Sequence, residues 1–321
     1  MSHYDRDTPG DTIVSDFPSQ VKGRTFLITG PSDGGIGAEA AKSLARGSPK
    51  TLILVGRSLE KIQPTIDAIQ KADASVAVKF VTVELSSLSS VREAAKTILE
   101  DSSIPKIDVI INNAAIMVCP YGLSKDGYEL QFATNYLSHF LLTNLLLPKV
   151  LAAGPGARII NVSSTAHLLG PINFDSLDYN KGKDYDPWIA YGQAKTGNVL
   201  FSVALDKRLK GKGVKSFALC PGGIGTNLSR YMSPDILNDI LTKYSYGIET
   251  IGPMKSLQAG CSTTLRAALD PSLLEADDSL FLSHCQLRTD PSYVAPHALS
   301  EENAERLWSL SEELVGEKFT L

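Results

Sequence analysis

Long apolar runs are missing from this chain. No stretch reaches the ~18 residues that a membrane span needs. The opening residues 1–22 are polar and carry Asp5, Asp7, Asp11 and Asp16, which fits neither a signal peptide nor a membrane anchor. Basic residues are not in surplus: 31 Lys and Arg stand against 35 Asp and Glu, a net charge of −4. With no Lys/Arg run, neither nucleic acid nor an anionic membrane is an expected partner. Cysteine is scarce, four in 321 residues. Cys119, Cys220, Cys261 and Cys285 are far apart and lack CxxC or metal spacing, so they read as reduced, packed thiols of a cytoplasmic protein. The five histidines have no metal spacing either, and no metal site is expected. Repeats, low-complexity tracts and linkers are also lacking. The 43% apolar content is ample for a sizeable core, and one domain is the economical reading.

What is present begins at Phe26-Leu27-Ile28-Thr29-Gly30-Pro31-Ser32-Asp33-Gly34-Gly35-Ile36-Gly37. A short β-branched and aromatic run leads into a glycine-rich turn and then a helix start. Glycine lets the backbone approach a ligand closely, and a helix N-terminus aims free N–H groups and a positive dipole end at an anion. The stretch therefore reads as a pyrophosphate cradle; taken alone, a tight turn is the lesser alternative. It is not a P-loop, because no Lys-Ser/Thr follows Gly35.

Strand-like and helix-like segments alternate from Gly23 onward. Expected strands are Thr25–Thr29, Thr51–Val55, Val76–Val83, Ile107–Ile111, Ala157–Val162, Val214–Leu219 and a last short one at Ser279–Ser283. Expected helices are Ile36–Arg46, Ser58–Lys71, Leu88–Asp101, Gly127–Leu147 ended by Pro148, Pro187–Leu209, Lys255–Leu269 and Ser300–Leu314. Strict alternation predicts an α/β fold, a doubly wound (Rossmann-type) parallel sheet with helices on both faces. Runs such as Leu52-Ile53-Leu54-Val55 are continuously apolar, as strands covered on both sides must be. Residues 1–22 read as a polar, loosely ordered arm. Residues 23–321 form the domain, with an aromatic and polar insert at about 227–253 that reads as mobile and helical.

Four further groups of residues carry chemistry. Tyr191 and Lys195 stand at i and i+4, on one helix face. An ammonium near a phenol lowers the phenol's pKa toward neutrality, which suits a general acid/base. Alone, such a pair is more often just a surface contact. Asn161-Val162-Ser163-Ser164 sits at the carboxyl end of the fifth strand, where open α/β sheets bind ligands. There a serine either meets a substrate oxygen or caps a turn. Asn112-Asn113-Ala114-Ala115 follows the fourth strand, and Asn135 lies in an otherwise apolar helix. A buried amide needs partners, so Asn135 is either structural or part of a relay. His139 and His167 read as packing or capping residues; His167, three residues past Ser164, is the better candidate for a catalytic role.

In order and spacing these residues resemble the short-chain dehydrogenase/reductase family. Thr29–Gly37 resembles its TGxxxGxG element, Asn112–Ala115 its NNAG, and Pro221-Gly222-Gly223-Ile224-Gly225-Thr226 its PGxxxT turn. Asn135, Ser164, Tyr191 and Lys195 match its Asn-Ser-Tyr-Lys tetrad. The resemblance spans about Gly23 to Leu314. His139-Phe140-Leu141-Leu142-Thr143, Arg158–His167 and Ala304-Glu305-Arg306-Leu307-Trp308 are similar to the retinol-dehydrogenase and WW-domain-oxidoreductase branch. The chain departs from the pattern at three places. Five residues separate Gly30 and Ile36, one more than usual; Ala115 replaces a glycine; and Glu84 stands where an Asp is common.

The resemblance implies a nicotinamide cofactor bound by Gly30, Ser32, Gly35, Ile36, Arg57, Glu84, Leu85, Asn113, Tyr191, Lys195, Ile224 and Thr226. An acid after the second strand holds the ribose of NAD, whereas a base accommodates the 2′-phosphate of NADP. Here Val55-Gly56-Arg57-Ser58 has no acid, and Arg57 offers a charge-assisted phosphate partner. The expected cofactor is NADP(H) rather than NAD(H), with Asp33 as a counter-indication. The implied roles are Tyr191 as general acid, Lys195 lowering its pKa, Ser164 polarising the carbonyl, and Asn135 keeping a relay water. A cofactor-binding regulator, or a non-redox step on the same fold, is the alternative. The substrate pocket is expected from the loop after Ser164, Ile116–Tyr121 and the insert. Met117, Tyr121, Leu168, Tyr231 and Met232 point to a bulky, mostly hydrophobic small molecule; Tyr244 and Tyr246 belong to the aromatic insert. A monomer or homodimer is expected.

Overall fold

The computed structural model describes residues 3–242, 253–276 and 279–320. The chain enters through α1 (Gly10–Asp16), then runs β1 (Thr25–Thr29), α2 (Ile36–Ala45), β2 (Thr51–Gly56), α3 (Leu59–Ala72), β3 (Ala77–Thr82), α4 (Leu88–Glu100) and β4 (Val109–Asn112). The second half adds a short turn α5 (Leu130–Phe132), α6 (Ser138–Leu151), β5 (Ala157–Val162), α7 (Pro187–Leu209), β6 (Val214–Cys220) and α8 (Pro234–Thr242). It ends with α9 (Leu257–Leu269), β7 (Phe281–Ser283), β8 (Gln286–Leu287) and α10 (Glu301–Val315).

The strands form one eight-stranded sheet in the order β3-β2-β1-β4-β5-β6-β7-β8. Pairing is parallel as far as β7, with Leu27 opposite Ile53 on one side and Ile110 on the other. Every residue of β1, β2, β4 and β5 is buried, because helices cover both faces. Val91, Phe140, Leu200 and Trp308 pack one face; Ile13, Leu44, Ile62 and Leu265 pack the other. Each such side chain contributes about 1.5–3 kcal/mol by leaving water. The strand order reverses between β1 and β4, which opens a crevice at the carboxyl ends of the strands.

Three elements differ from the expectation. The opening segment is not a loose arm. It carries Ile13 and Val14 into the core, and Tyr4 donates its hydroxyl hydrogen to Asp16 at 2.8 Å. Its two apolar residues are too few to stand out in a polar stretch, yet they are placed one turn deep against α9 and α2. The long helix begins not at Gly127, whose φ is +86°, but at Leu130, where the Glu129 carboxylate accepts from the backbone of Gln131 and Phe132. It widens into a π-turn at Ala133–Leu137 and runs past Pro148 to Leu151. Proline removes a single N–H bond there, while Val150 is buried and Lys149 ties the end of the helix to the carbonyls of Asp101 and Ile104. Finally, β8 turns back antiparallel on β7. It is only two residues long, and its turn places His284 and Cys285 at positive φ without a glycine, so no sequence signal announces it.

Candidate functional site

The glycine turn sits at the crevice. Gly30 has φ +67°, and a Cβ there would lie 2.8 Å from the Cα of Ala114, so the close approach of the two loops requires glycine. Gly30 N–H donates to Val55 at 2.8 Å and Thr65 Oγ1 donates to the Pro31 carbonyl at 3.1 Å, fixing the turn against β2 and α3. Gly35 is the N-cap of α2 and has no side chain to offer the first N–H groups, which leaves them for an anion. Asp33 also lines this end of the cleft, and Lys42 Nζ holds its carboxylate at 2.7 Å and keeps it below the usual carboxylate range. At the far end Arg57 Nη1 stands 3.7 Å from Glu84 Oε2. Both are partly exposed, so this pair is worth at most about 1 kcal/mol and yields readily to a stronger anion.

Asn113 Nδ2 donates to the carbonyls of Thr29 at 2.9 Å and Gly30 at 3.3 Å, locking the β4 exit loop to the glycine turn. Asn135 lies wholly buried beneath this loop. Its side chain accepts from Ile116 N–H and donates to Ile116 carbonyl, both at 2.8 Å. Ser164 lies two residues past β5 and caps the turn that follows, accepting from Ala166 N–H at 3.2 Å. Tyr191 and Lys195 share one face of α7. Lys195 Nζ donates to the Val162 carbonyl at 2.8 Å and lies 5.6 Å from the Tyr191 ring centroid. The hydroxyl of Ser163, the neighbour of Ser164, is spent on the Lys195 carbonyl at 2.8 Å.

The electrostatics depart from the expectation for the Tyr–Lys pair. Burial pushes the Tyr191 phenol above its ordinary value, with a hydrogen bond from Ser164 pulling the other way. Burial also drives Lys195 down to about 7. An ammonium that is itself desolvated is only partly charged at neutral pH, so it does not drag the phenol down.

One cleft of about 1270 Å³ is lined by Gly30, Ser32, Gly35, Ile36, Arg57, Glu84, Leu85, Asn113, Ser164, Tyr191, Lys195, Ile224 and Thr226. Of the tetrad and cofactor residues expected from the sequence, Asn135 alone sits behind the wall rather than in it. Thr226 Oγ1 accepts from Leu228 N–H at 3.3 Å and caps the turn Asn227–Tyr231. The pocket beyond is apolar, with Met117, Leu169, Tyr231, Met232, Leu237, Ile240 and Leu241 on its walls. Tyr121 and Leu168, expected there, are elsewhere. Tyr121 stacks edge-on against Tyr185 at 5.3 Å, and Leu168 packs on the buried cluster that holds Val199, Phe281 and Val294. Tyr244 and Tyr246 lie outside the described residues.

Two lining residues escape a reading of motifs. Lys61 adds a second basic side chain at the Arg57 end; its signal was its position one helical turn into α3, beside Ser58. Trp188 donates Nε1–H to the Ile236 carbonyl at 2.9 Å and so anchors α8 over Tyr191. It stands at i−3 from Tyr191, a spacing that puts both on one face.

The geometry agrees with what this chain is similar to. The family model described as short chain dehydrogenase matches residues 24–236. Retinol dehydrogenase 13 of Homo sapiens is 37% identical over 301 residues, covering 92% of this chain and 86% of the relative. A short-chain dehydrogenase/reductase named prx1 from Penicillium roqueforti is 36% identical, covering 91% and 84%. A crystal structure of an uncharacterised protein from Mycobacterium Paratuberculosis superposes with a TM-score of 0.72 at 32% identity, over 96% of this chain and 98% of that one. Among the described residues no helix is long and apolar enough to cross a membrane. The chain belongs to the short-chain dehydrogenase/reductase family, in its retinol-dehydrogenase-like branch, and is an oxidoreductase by that membership.

Proposed function

We propose that the chain moves a hydride between NADP(H) and the carbonyl or alcohol of a bulky, mostly apolar small molecule. The reading is carried by one cleft that joins an anion-ready glycine turn with Arg57 at one end to Tyr191 and Ser164 at the other, under apolar walls. The residues fit the dinucleotide. Gly30 leaves room for no side chain, α2 opens with unpaired N–H groups, and Arg57, Ser58 and Lys61 supply donors where a 2′-phosphate would lie. Gly30, Ser32, Gly35 and Ile36 would hold the pyrophosphate, Leu85 and Glu84 the adenine side, Asn113 the turn itself, and Ile224 and Thr226 the nicotinamide amide.

A bound nicotinamide supplies or accepts the hydride. The chain's own residues manage the oxygen and its proton. Ser164 hydroxyl holds the substrate oxygen, and Tyr191, a phenol kept protonated by burial, gives that oxygen its proton. Lys195, poised near neutrality, returns a proton to Tyr191. Asn135, held behind the cleft wall by its two bonds to Ile116, would keep a water in a proton relay toward Lys195. Cytoplasmic residence goes with this reading, since the four cysteines are all buried and unpaired.

The test is NADPH consumption, followed by absorbance, against ketones and aldehydes of increasing apolar size. Arg57→Ala is expected to raise the KM for NADPH by about 10-fold or more, the loss of one charge-assisted bond of roughly 1.5–3 kcal/mol. It should leave the KM for NADH nearly unchanged. An equal effect on both cofactors would remove the 2′-phosphate from the argument.

The chain also reads as a monomer. Its own α10 lies on α7, with Arg208 paired to Glu305 at 2.6 Å and stacked on Trp308 at 4.0 Å. Tyr136 hydroxyl meets Ser311 Oγ at 2.7 Å, and Trp308 packs on Phe140. The faces of α6 and α7 that another copy would use are therefore already covered. Light scattering is expected to return the mass of one chain; a stable dimer would overturn this.

A further inference from the structure

Two buried histidines stand outside the mechanism, and both touch it in the same way. His139 is on α6, just past the π-turn. Its Nε2 lies 2.9 Å from Thr29 Oγ1 and its Nδ1 3.0 Å from the main-chain carbonyl of Asn135. His167 follows β5. Its Nε2 accepts from Ala295 N–H at 3.2 Å, and its Nδ1 meets the main-chain carbonyl of Ser164.

The neighbours settle where each proton sits. Thr29 Oγ1 already accepts from Asn113 N–H at 2.9 Å and Ala114 N–H at 3.0 Å, so both its lone pairs are taken. Its own hydrogen can go only to His139 Nε2, which must be bare; Nδ1 then carries the ring proton and donates it to Asn135. The backbone of Ala295 makes the same demand on His167, whose Nδ1–H goes to Ser164. A ring held between a fixed donor and a carbonyl has one tautomer and one orientation.

We propose that His139 and His167 are positioning residues, neutral imidazoles whose Nδ1–H groups hold the main-chain carbonyls of Asn135 and Ser164. His139 does so across the sheet. It links the Thr29–Gly30 cofactor turn to Asn135, and Asn135 in turn holds Ile116 in the pocket wall. His167 links Ser164 to the segment before α10, and its own carbonyl is gripped by His297 Nε2 at 3.0 Å and Thr196 Oγ1 at 3.2 Å. Neither ring exchanges protons during turnover. The charged or titratable groups that bear on them are Lys195 for His139 and His297 for His167, and both oppose a second proton.

The first test is NMR of the wild-type chain labelled at histidine. Two of the five imidazoles should show the Nδ1–H tautomer, which is the minor one in free histidine. They should stay neutral from about pH 5.5 to pH 8. His139→Gln and His167→Gln in turn assign the two signals. An Nε2–H tautomer, or an imidazolium in that range, at either residue overturns the proposal for it.

The second test is turnover of decanal with NADPH. Asn keeps a donor at the place of Nδ1, whereas Gln keeps one only at the place of Nε2. His139→Asn and His167→Asn are expected within about 3-fold of wild-type kcat, and the Gln variants down by about 10- to 100-fold, the range for a misplaced catalytic group. The dissociation constant for NADPH should differ little between Asn and Gln at position 167. Equal kcat for Asn and Gln would leave the rings as packing only, and loss of a pH limb in the Gln variants would make them proton carriers; either overturns the proposal. The turnover arm rests on the reductase reading above and the tautomer arm does not, so failure of one is distinguishable from failure of the other.

Discussion

Tyr191→Phe is expected to lower kcat by roughly 10³-fold, within the range for loss of a general acid, while NADPH binding changes less than about 3-fold. The ring is 3% exposed and packs against Trp188 at a centroid distance of 6.4 Å. Phe keeps that packing and removes only the hydroxyl. What disappears is the phenol beside Ser164, and Ser164 cannot replace it as acid because its hydroxyl would be engaged on the substrate oxygen. Stopped turnover with intact fluorescence titration by NADPH is the expected pair of results. Unchanged turnover would end the proposed mechanism.

The direction of the Tyr191 shift adds a pH signature. Burial holds the phenol protonated through neutrality, which favours giving a proton to a carbonyl. The reverse reaction needs the phenolate, so kcat/KM for an alcohol should climb with pH into the basic range. Lys195 contributes at lower pH. Its ammonium is lost through about pH 7, so reduction should weaken above neutrality as the group that reloads Tyr191 empties. Wild-type profiles in both directions, measured on one carbonyl–alcohol pair, check both slopes.

The alternation of apolar runs with amphipathic segments announced the sheet because both faces are covered and burial leaves no polar position free. Gly30, Asn113, Ser164, Tyr191 and Lys195 stood out by residue type and spacing, and the fold brings them to one cleft. Features decided by contacts distant in sequence were not legible. Ile13 and Val14 look unremarkable until α9 is placed beside them. Pro148 looks like a stop until Val150 is seen to be buried beyond it. The lowered Lys195 value could not be read from an i, i+4 spacing, because it depends on how completely the fold removes water from both groups. Tyr121 and Leu168 were assigned to the pocket on chemistry alone; their direction was set by Tyr185 and Phe281, which no local pattern connects to them. His139 and His167 posed the same difficulty in reverse. Apart from the Thr29 hydroxyl, their partners are backbone atoms, which carry no sequence signal.

Gly37→Ala tests the packing that makes the cofactor turn. A Cβ at Gly37 would lie 2.4 Å from Asn113 Nδ2 and 3.0 Å from the Gly30 carbonyl. The carbonyl is backbone and is pinned by the Gly30 bond to Val55, so the Asn113 side chain must move. Moving it breaks its bonds to the Thr29 and Gly30 carbonyls, and with them the tie between the glycine turn and the β4 exit loop. Overpacking of this kind costs about 1–3 kcal/mol. Paid at the binding surface, that is roughly a 10- to 100-fold rise in the dissociation constant for NADPH, with a smaller fall in melting temperature. The displaced group can be removed to separate steric from other causes. In an Asn113→Ala background, Gly37→Ala meets no amide and should cost much less than it does alone, a coupling visible in a double-mutant cycle. Wild-type affinity in Gly37→Ala, or an undiminished cost when Asn113 is absent, would show that the turn is not held in the way these distances indicate.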